Sequence, residues 1–199
     1  MNIIISGVGG QGTILASKIL AAGAVLEGRN ARTGETIGMS QRGGCVVSHV
    51  RTGNVHSAYI PAGKAELLLS FEIFEGARCI PQLKKGGQAI INTTVITPVS
   101  TTLGKNSLDV EKVKDYISQN SHAVFVDADS IAKKCGSVKA SNTVLIGVAY
   151  GLGVLDLSRE SLIQAIRDNV KPKFFDLNVK AFNAGVAACE GVENHEKHG

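Results

Sequence analysis

The stretch NIIISGVGGQGTILASKIL, residues 2–20, is the strongest indicator of the fold of this chain. Its apolar start predicts a buried strand, and an apolar pattern of helical period follows the glycines. Glycines at positions 7, 9 and 12 have the spacing of the turn that joins the first strand and helix of dinucleotide-binding folds. The stretch therefore predicts a strand, a glycine turn and a helix whose N-terminus attracts an anion or a polar oxygen.

Each part of this turn has an expected role in binding. Gly7 permits a tight reversal, Gly9 leaves room for a ligand or a backbone, and Gly12 lets the helix lie close to the strand. With Gly10 and Gln11 they form the first group of candidate binding residues. The alternative interpretation is that the glycines serve only the packing of the helix on the strand.

The composition is that of a globular protein. With 199 residues, 44% of them hydrophobic and 19% charged, the chain can enclose a substantial core. We expect one domain over residues 1–190 and a flexible polar tail over residues 191–199. The net charge is only +4, the basic residues are scattered and 5% of residues are aromatic, which argues against nucleic-acid binding.

The sequence predicts a cytoplasmic protein without a metal site. The first residues lack the features of a secretory signal, and no apolar run reaches transmembrane length. The cysteines Cys45, Cys79, Cys135 and Cys189 are too widely spaced for a zinc or iron–sulfur signature. We expect them to be buried thiols in a reducing compartment.

Strands and helices alternate along the chain. Strands are expected at residues 45–51, 65–71, 88–94 and 122–128, and helices at 12–26, 72–83, 109–120, 128–134, 142–152, 159–170 and 175–189. A short strand over 55–60 is expected to pair with 45–51 as a hairpin. This order predicts a three-layer α/β/α fold with a mostly parallel, Rossmann-like sheet, a β-hairpin insertion and C-terminal helices.

A nicotinamide enzyme of the usual kind needs a carboxylate about 20 residues after the glycines, to bind the ribose hydroxyls. Glu27 lies at the helix end, and residues 28–33 contain no acid. Arg29 and Arg32 could bind a 2′-phosphate, but no strand pattern surrounds them. These observations weaken the hypothesis of a dehydrogenase.

The second group of candidate residues is Ser40, Gln41, Arg42, Gly43 and Gly44. The Arg42 guanidinium is a planar donor suited to a carboxylate or a phosphate, and the glycines let this loop approach another backbone. The alternative is that Arg42 binds carbonyl groups of its own loop.

Glu72, Glu75 and Arg78 are spaced by three residues on a predicted helix. Such a pattern is typical of solvated ion pairs, and paired carboxylates for general acid–base catalysis are the alternative. 

The remaining polar candidates do not form a catalytic set. Asp127 and Asp129 close a strand at its carboxyl end, where α/β folds bind ligands, and each could instead cap the next helix. His49 lies within a strand and is expected to have a structural role, because no nucleophile stands beside it.

Several motifs together resemble one known family. These are GVGGQG, GMSQRGG followed by VVSHVR, AELLLSFEIFEGAR, GGQAIINT and ASNTVLIGVAYGLG. Their order, over roughly residues 2–155, is similar to that in gamma-type subunits of 2-oxoacid:ferredoxin oxidoreductases. Met39 and Gln41 before the arginine favour the indolepyruvate branch of this family and its small (beta) subunit.

The resemblance implies a division of labour between chains. Thiamine diphosphate and [4Fe–4S] clusters would be on a large partner subunit, and this chain would bind no cofactor by itself. The complex would oxidatively decarboxylate indolepyruvate or another aryl pyruvate, form an acyl-coenzyme A and reduce ferredoxin. Residues 7–12 and 40–44 would then face the shared active site or the large subunit, with the coenzyme A pyrophosphate as a candidate ligand of the helix N-terminus.

Two further expectations remain beside this one. A stand-alone Rossmann-type nucleotide-binding oxidoreductase is the alternative function. The apolar surface expected of an obligate subunit would also let the isolated chain form a homodimer.

Overall fold

The computed structural model of the chain describes residues 1–38, 44–96 and 109–190. Its strands are β1 (Asn2–Val8), β2 (Ala31–Ile37), β3 (Cys45–Thr52), β4 (Ala65–Ser70), β5 (Leu83–Asn92) and β6 (His122–Val126). Its helices are α1 (Thr13–Leu26), α2 (Ile73–Cys79), α3 (Val110–Asn120), α4 (Ala128–Cys135), α5 (Ser141–Gly151), α6 (Arg159–Asn169) and α7 (Phe175–Glu190). The predicted helices are thus confirmed to within a few residues, although 3₁₀ geometry replaces the end of the expected 72–83 helix at Ile80–Gln82.

The six strands form one sheet in the order β2-β3-β1-β4-β5-β6. Strands β1, β4, β5 and β6 pair in parallel, whereas β3 is antiparallel to both of its neighbours. The chain leaves β1 toward β2 and β3 on one side, and then continues from β4 toward β5 and β6 on the other. The strand order therefore reverses between β1 and β4, and ligands bind at such a switch point in open α/β sheets.

The hairpin insertion is present and its predicted strand at 45–51 is confirmed as β3, but the prediction of its second strand at 55–60 was wrong. Strand β3 pairs with β2, with Gly34 opposite His49, and residues 55–60 form no strand. The backbone of 55–60 is instead bound by side chains: Arg51 donates to the carbonyls of Ser57 and Tyr59. 

Strand β2 was not predicted from the sequence, because it is a polar edge strand. Its sequence, ARTGETI, lacks the apolar alternation of a half-buried strand, since one of its two edges has no sheet neighbour. The expectation that no strand surrounds Arg32 was therefore wrong, because Arg32 lies within β2. Arg29 precedes the strand, and its guanidinium binds the carboxylates of Glu27 and Asp156. This arginine holds the end of α1 against the start of α6.

The side chains of the central strands alternate between two cores. Ile3 and Ile5 of β1 join the core beneath α1, α5, α6 and α7, whereas Ile4 joins the core beneath α2 and α3. In β4, Leu67 and Leu69 face the first core and Leu68 the second. Helices thus cover both faces of the sheet, and the predicted three-layer α/β/α fold is confirmed.

Two glycines let α5 and α7 pack backbone to backbone. A Cβ atom at Gly147 would overlap the carbonyl oxygen of Phe182, and one at Gly185 would overlap the carbonyl oxygen of Val144. Helix α5 is buried over almost its whole length, so the packing of α7 on it closes the first core. 

We predict that Gly147→Ala lowers the free energy of unfolding by at least about 2 kcal/mol, because α5 and α7 must separate to admit the methyl group. Gly23→Ala in α1 is the matched control, since its Cβ would meet side-chain atoms of Leu157 only at ordinary contact distance. That control should stay within about 1 kcal/mol of the wild type or exceed it, because alanine favours helix. Urea unfolding of the three proteins measures both effects, and equal stabilities would contradict the prediction.

Candidate functional site

A cleft of about 470 Å³ opens at the switch point of the sheet. It lies beyond the carboxyl ends of β1 and β5, and the N-termini of α1 and α5 contribute to its walls. Its lining includes Gly10, Gln11, Gly12, Asn92, Thr94, Asp129 and Lys139.

The glycine turn forms the first wall of this cleft. Gly10 and Gly12 have φ angles of 99° and 86°, in the left-handed region that favours glycine. A Cβ at Gly12 would also lie 2.6 Å from Nδ2 of Asn142, so the close packing expected of this glycine is against α5. Gly7 is buried, and its Cβ would lie 2.8 Å from Oε1 of Gln11. Backbone conformation therefore favours glycine at Gly10 and Gly12, and space favours it at Gly7 and Gly12, whatever ligand is bound. Gly7 itself lies within β1 and not in the reversal expected for it.

The amide of Gln11 is committed to the backbone. Its Oε1 accepts a hydrogen bond from Val8 N at 2.7 Å, and its Nε2 donates to the Phe71 carbonyl at 2.8 Å. The side chain thereby links the ends of β1 and β4. The binding role expected for Gln11 stays a prediction, and the structure gives this residue a bracing role.

The N-terminus of α1 opens into the cleft. Gly12 occupies the N-cap position, and no side chain of the described residues caps the helix. Because the first N–H groups of a helix lack intrahelical partners and carry partial positive charge, this end of α1 favours an anion or a polar oxygen.

Three polar side chains form the second wall. Asn92 is fully buried at the end of β5, and its Nδ2 lies 3.2 Å from Asp129 Oδ1 and 3.0 Å from Thr94 Oγ1. The Thr94 hydroxyl donates to Asp129 Oδ2 at 2.6 Å. The carboxylate of Asp129 is thus held at the cleft by two donors.

One lysine adds positive charge to the cleft. Lys139 lies in the 3₁₀ turn Val138–Ala140, before α5, and forms no ion pair with a carboxylate among the residues that the structure describes. The cleft therefore combines donors and positive charge near α1 and α5 with an acceptor at Asp129.

The second candidate loop lies mostly outside the described residues. Ser40, Gln41, Arg42 and Gly43 fall there, so their predicted roles stay predictions. Gly44 is described, and its carbonyl accepts a hydrogen bond from Gly9 N at 2.9 Å. The fold thus joins the end of the second loop to the glycine turn, although the two are far apart in sequence.

The interpretation of Glu72 and Glu75 as solvated residues was wrong. Their relative exposures are 1% and 8%, because α2 is short and its first turn packs against the ends of β1 and β4. Glu72 caps α2 by accepting from Glu75 N at 2.8 Å, and burial raises the pKa of its carboxyl. Arg78 lies 3.8 Å from Glu75 and is itself exposed.

Burial of the cysteines is confirmed for only two of the four. None of the four forms a disulfide bond; Cys79 and Cys189 are buried, whereas Cys45 and Cys135 are half-buried. Loss of solvation raises the pKa of Cys45 to about 12 and that of Cys79 to about 11. Both thiols are therefore protonated and unreactive at neutral pH.

The two aspartates after β6 have different positions. Asp127 caps α4 by accepting from Ser130 N at 2.9 Å, and its hydrogen bonds with Ser130 lower the pKa of its carboxyl. Asp129, two residues later, lines the cleft. His49 has the expected structural role: it is buried, and its Nδ1 accepts from Ile60 N at 3.2 Å.

The described ranges contain no group of three or more His, Cys, Asp or Glu side chains that could hold a metal ion. No helix in these ranges is long and apolar enough to cross a membrane.

Residues 2–188 match the protein family described as pyruvate ferredoxin/flavodoxin oxidoreductase. The chain belongs to this family. The indolepyruvate oxidoreductase subunit IorB of Pyrococcus horikoshii is 40% identical over 197 residues, which are 97% of this chain and 98% of that protein. The resemblance drawn from the sequence motifs is thereby confirmed, and a stand-alone nucleotide-binding oxidoreductase is not favoured.

Solved structures show the same fold. The gamma subunit of a keto/oxoacid ferredoxin oxidoreductase from Geobacter sulfurreducens has a TM-score of 0.72 and 24% identity, over 96% of this chain and 98% of its own. The 2-oxoglutarate:ferredoxin oxidoreductase of Magnetococcus marinus also gives a TM-score of 0.72, with 20% identity, over 96% of this chain and 31% of that longer chain. At these identities the likeness concerns the fold alone.

Sequence reasoning missed Asn92, Thr94 and Lys139 as cleft residues. The position of Asn92 at the carboxyl end of an apolar strand was a usable signal, because that edge of the sheet binds ligands. Lys139 follows a short helix in a polar segment, and no spacing or pattern marks it.

We predict that Gln11→Ala lowers the free energy of unfolding by about 1–3 kcal/mol, because it removes both hydrogen bonds of the Gln11 amide, which add a link between the ends of β1 and β4. Gln164→Ala is the control, since Gln164 is exposed and binds only Asp168 on the same helix. Its effect should be within about 0.5 kcal/mol. Urea denaturation of both variants is the measurement, and a Gln11→Ala protein as stable as the control would refute the bracing role.

Proposed function

We propose that this chain is the small subunit of an indolepyruvate:ferredoxin oxidoreductase, which converts indolepyruvate or another aryl pyruvate to an acyl-coenzyme A and reduces ferredoxin. The observation that carries the proposal is the 40% identity to the Pyrococcus horikoshii subunit over nearly the whole of both chains. The motif GMSQRGG, residues 38–44, supports the same branch of the family.

The proposal gives thiamine diphosphate and the [4Fe–4S] clusters to a large partner subunit. The residues described here do not fit a cluster, because none of them form a set of three or more metal-binding side chains. Decarboxylation and electron transfer would be carried out by those groups on the partner. The role of this chain is to bind and orient a co-substrate and to complete the shared site.

The cleft at the switch point is the proposed site for coenzyme A. The N-terminus of α1 and Lys139 would bind the pyrophosphate, because both favour negative charge and α1 has no side-chain cap among the described residues. The Magnetococcus marinus structure is described with 2-oxoglutarate, coenzyme A and succinyl-CoA bound, and part of its chain has this fold. Gly9 and Gly10 are exposed and remain candidates for contact with the ligand or the large subunit, as do residues 40–44.

The surroundings of the cleft support an interface with the large subunit. Val95, Ile96 and Val138 near its edge are exposed apolar side chains, which a partner chain would cover. The same argument supports a homodimer of the isolated chain, and light scattering at micromolar concentration would detect it. We also propose one domain over residues 1–190, because α7 shares a core with the sheet. We propose a cytoplasmic location, because cysteines without disulfide bonds are typical of a reducing compartment.

Co-expression with the large subunit tests the proposed function. We expect the two chains to co-purify, and reduction of a viologen dye by indolepyruvate and coenzyme A to require both. The large subunit assayed alone is one control. The complex assayed with pyruvate or 2-oxoglutarate in place of indolepyruvate is the other. Full activity without this chain, or no co-purification, would contradict the proposal.

We predict that Arg42→Ala impairs assembly or turnover of the complex and leaves the isolated chain folded, because its guanidinium is suited to an anion of the ligand or the partner. Arg32→Ala is the control, since this exposed arginine of β2 only contacts the carbonyl of its neighbour Ala31. Far-UV circular dichroism checks the fold, and the dye assay checks turnover. Unchanged co-purification and turnover in Arg42→Ala would refute the prediction.

A further inference from the structure

Only one assignment of donors and acceptors fits the hydrogen bonds of the second cleft wall. Asn92 Oδ1 accepts from the backbone N of Ala128 at 3.0 Å, which fixes the orientation of the amide. Asn92 Nδ2 must then donate, and its neighbours within 3.2 Å are the Phe71 carbonyl, Thr94 Oγ1 and Asp129 Oδ1. With two hydrogens for three acceptors, at least one of these N–H groups is shared.

The Thr94 hydroxyl is both an acceptor and a donor in this network. Its oxygen accepts from Asn92, and its own hydrogen is donated to Asp129 Oδ2 at 2.6 Å. Each oxygen of Asp129 therefore accepts one hydrogen bond from the protein, which is the pattern of a carboxylate. Since a carboxylate oxygen has two lone pairs, each retains one for a further donor. No described cation pairs with Asp129, so this remaining capacity is open to a ligand.

The two walls of the cleft select different chemical groups. The end of α1 and Lys139 attract negative charge, whereas the Asp129 carboxylate repels it and requires an N–H or O–H donor. A ligand that carries only phosphate groups satisfies one wall. A phosphate ester with hydroxyl or amide donors beside the phosphate satisfies both.

We propose that Asp129 is a specificity-determining residue that accepts a hydrogen bond from a hydroxyl or amide N–H of the phosphate ester bound in the cleft. Coenzyme A has both groups, a pyrophosphate flanked by a ribose with one free hydroxyl and by the hydroxyl and amides of the pantetheine arm, so the inference deepens the proposed function and rests on it. Thr94 and Asn92 are positioning residues, because they donate hydrogen bonds to the Asp129 carboxylate and are themselves uncharged. Asp129 thereby performs in this chain the task that a carboxylate after the second strand performs in dinucleotide-binding folds.

Calorimetric titration of the co-purified complex with coenzyme A and with inorganic pyrophosphate tests this role. Asp129→Asn places an amide where the two donors require an acceptor, so the Kd for coenzyme A should rise roughly tenfold or more. The Kd for pyrophosphate, which lacks the alcohol hydroxyl and amide donors of coenzyme A, should stay the same or fall. Asp127→Asn is the matched control, because it makes the same change two residues earlier, at the N-cap of α4, and asparagine caps a helix equally well.

Thr94→Val and Thr94→Ser separate positioning from folding. Valine removes the donor to Asp129 at nearly constant shape and should raise the KM for coenzyme A more than it lowers kcat, whereas serine should restore the wild-type KM. This pair keeps the test informative if Asp129→Asn fails to fold.

The possible failures are distinguishable. A coenzyme A affinity that Asp129→Asn leaves unchanged, or an equal loss for coenzyme A and pyrophosphate, overturns the role of Asp129 alone. A wild-type complex that binds neither compound overturns both this role and the proposed coenzyme A site.

Discussion

The carbonyl oxygen of Phe71 is the point on which the candidate site depends. It lies just beyond the end of β4 and accepts from Gln11 Nε2 at 2.8 Å and from Asn92 Nδ2 at 3.2 Å. Gln11 belongs to the glycine turn and Asn92 to the polar wall. One buried backbone group thus fixes the two walls of the cleft relative to each other.

A second layer of contacts supports the polar wall. Glu72 follows Phe71 directly, and its Oε1 accepts from Ile96 N at 3.3 Å. The Thr94 carbonyl accepts from Ile73 N at 3.1 Å. The segment after β5 is therefore tied to the start of α2 at Thr94 and at Ile96. This arrangement explains how a polar residue such as Glu72 can be buried, since its oxygens bind backbone N–H groups that would otherwise lack partners.

The sequence was sufficient for features that depend on local pattern. The glycine turn, the buried strand β4 and the helices after residue 109 follow from spacing and periodicity, and the structure contains all of them. Strand β2 was missed because an exposed edge strand has no apolar alternation to detect. The contacts of Asn92 with Asp129, and of Gly9 with Gly44, were missed because they join segments that only the order of strands brings together. 

The groups that the cleft presents suit the binding of a polar ligand. Its described lining includes an uncapped helix end, a lysine and a carboxylate that Asn92 and Thr94 orient. The cysteines with raised pKa values, Cys45 and Cys79, are protonated at neutral pH and do not line the cleft. Membership of a family of ferredoxin oxidoreductases agrees with a binding role, because binding energy from a remote part of a co-substrate can position its reacting end. The hydrogen bonds that join the two walls through the Phe71 carbonyl suit this role, since motion of the walls relative to each other would reduce how well the bound part positions the rest.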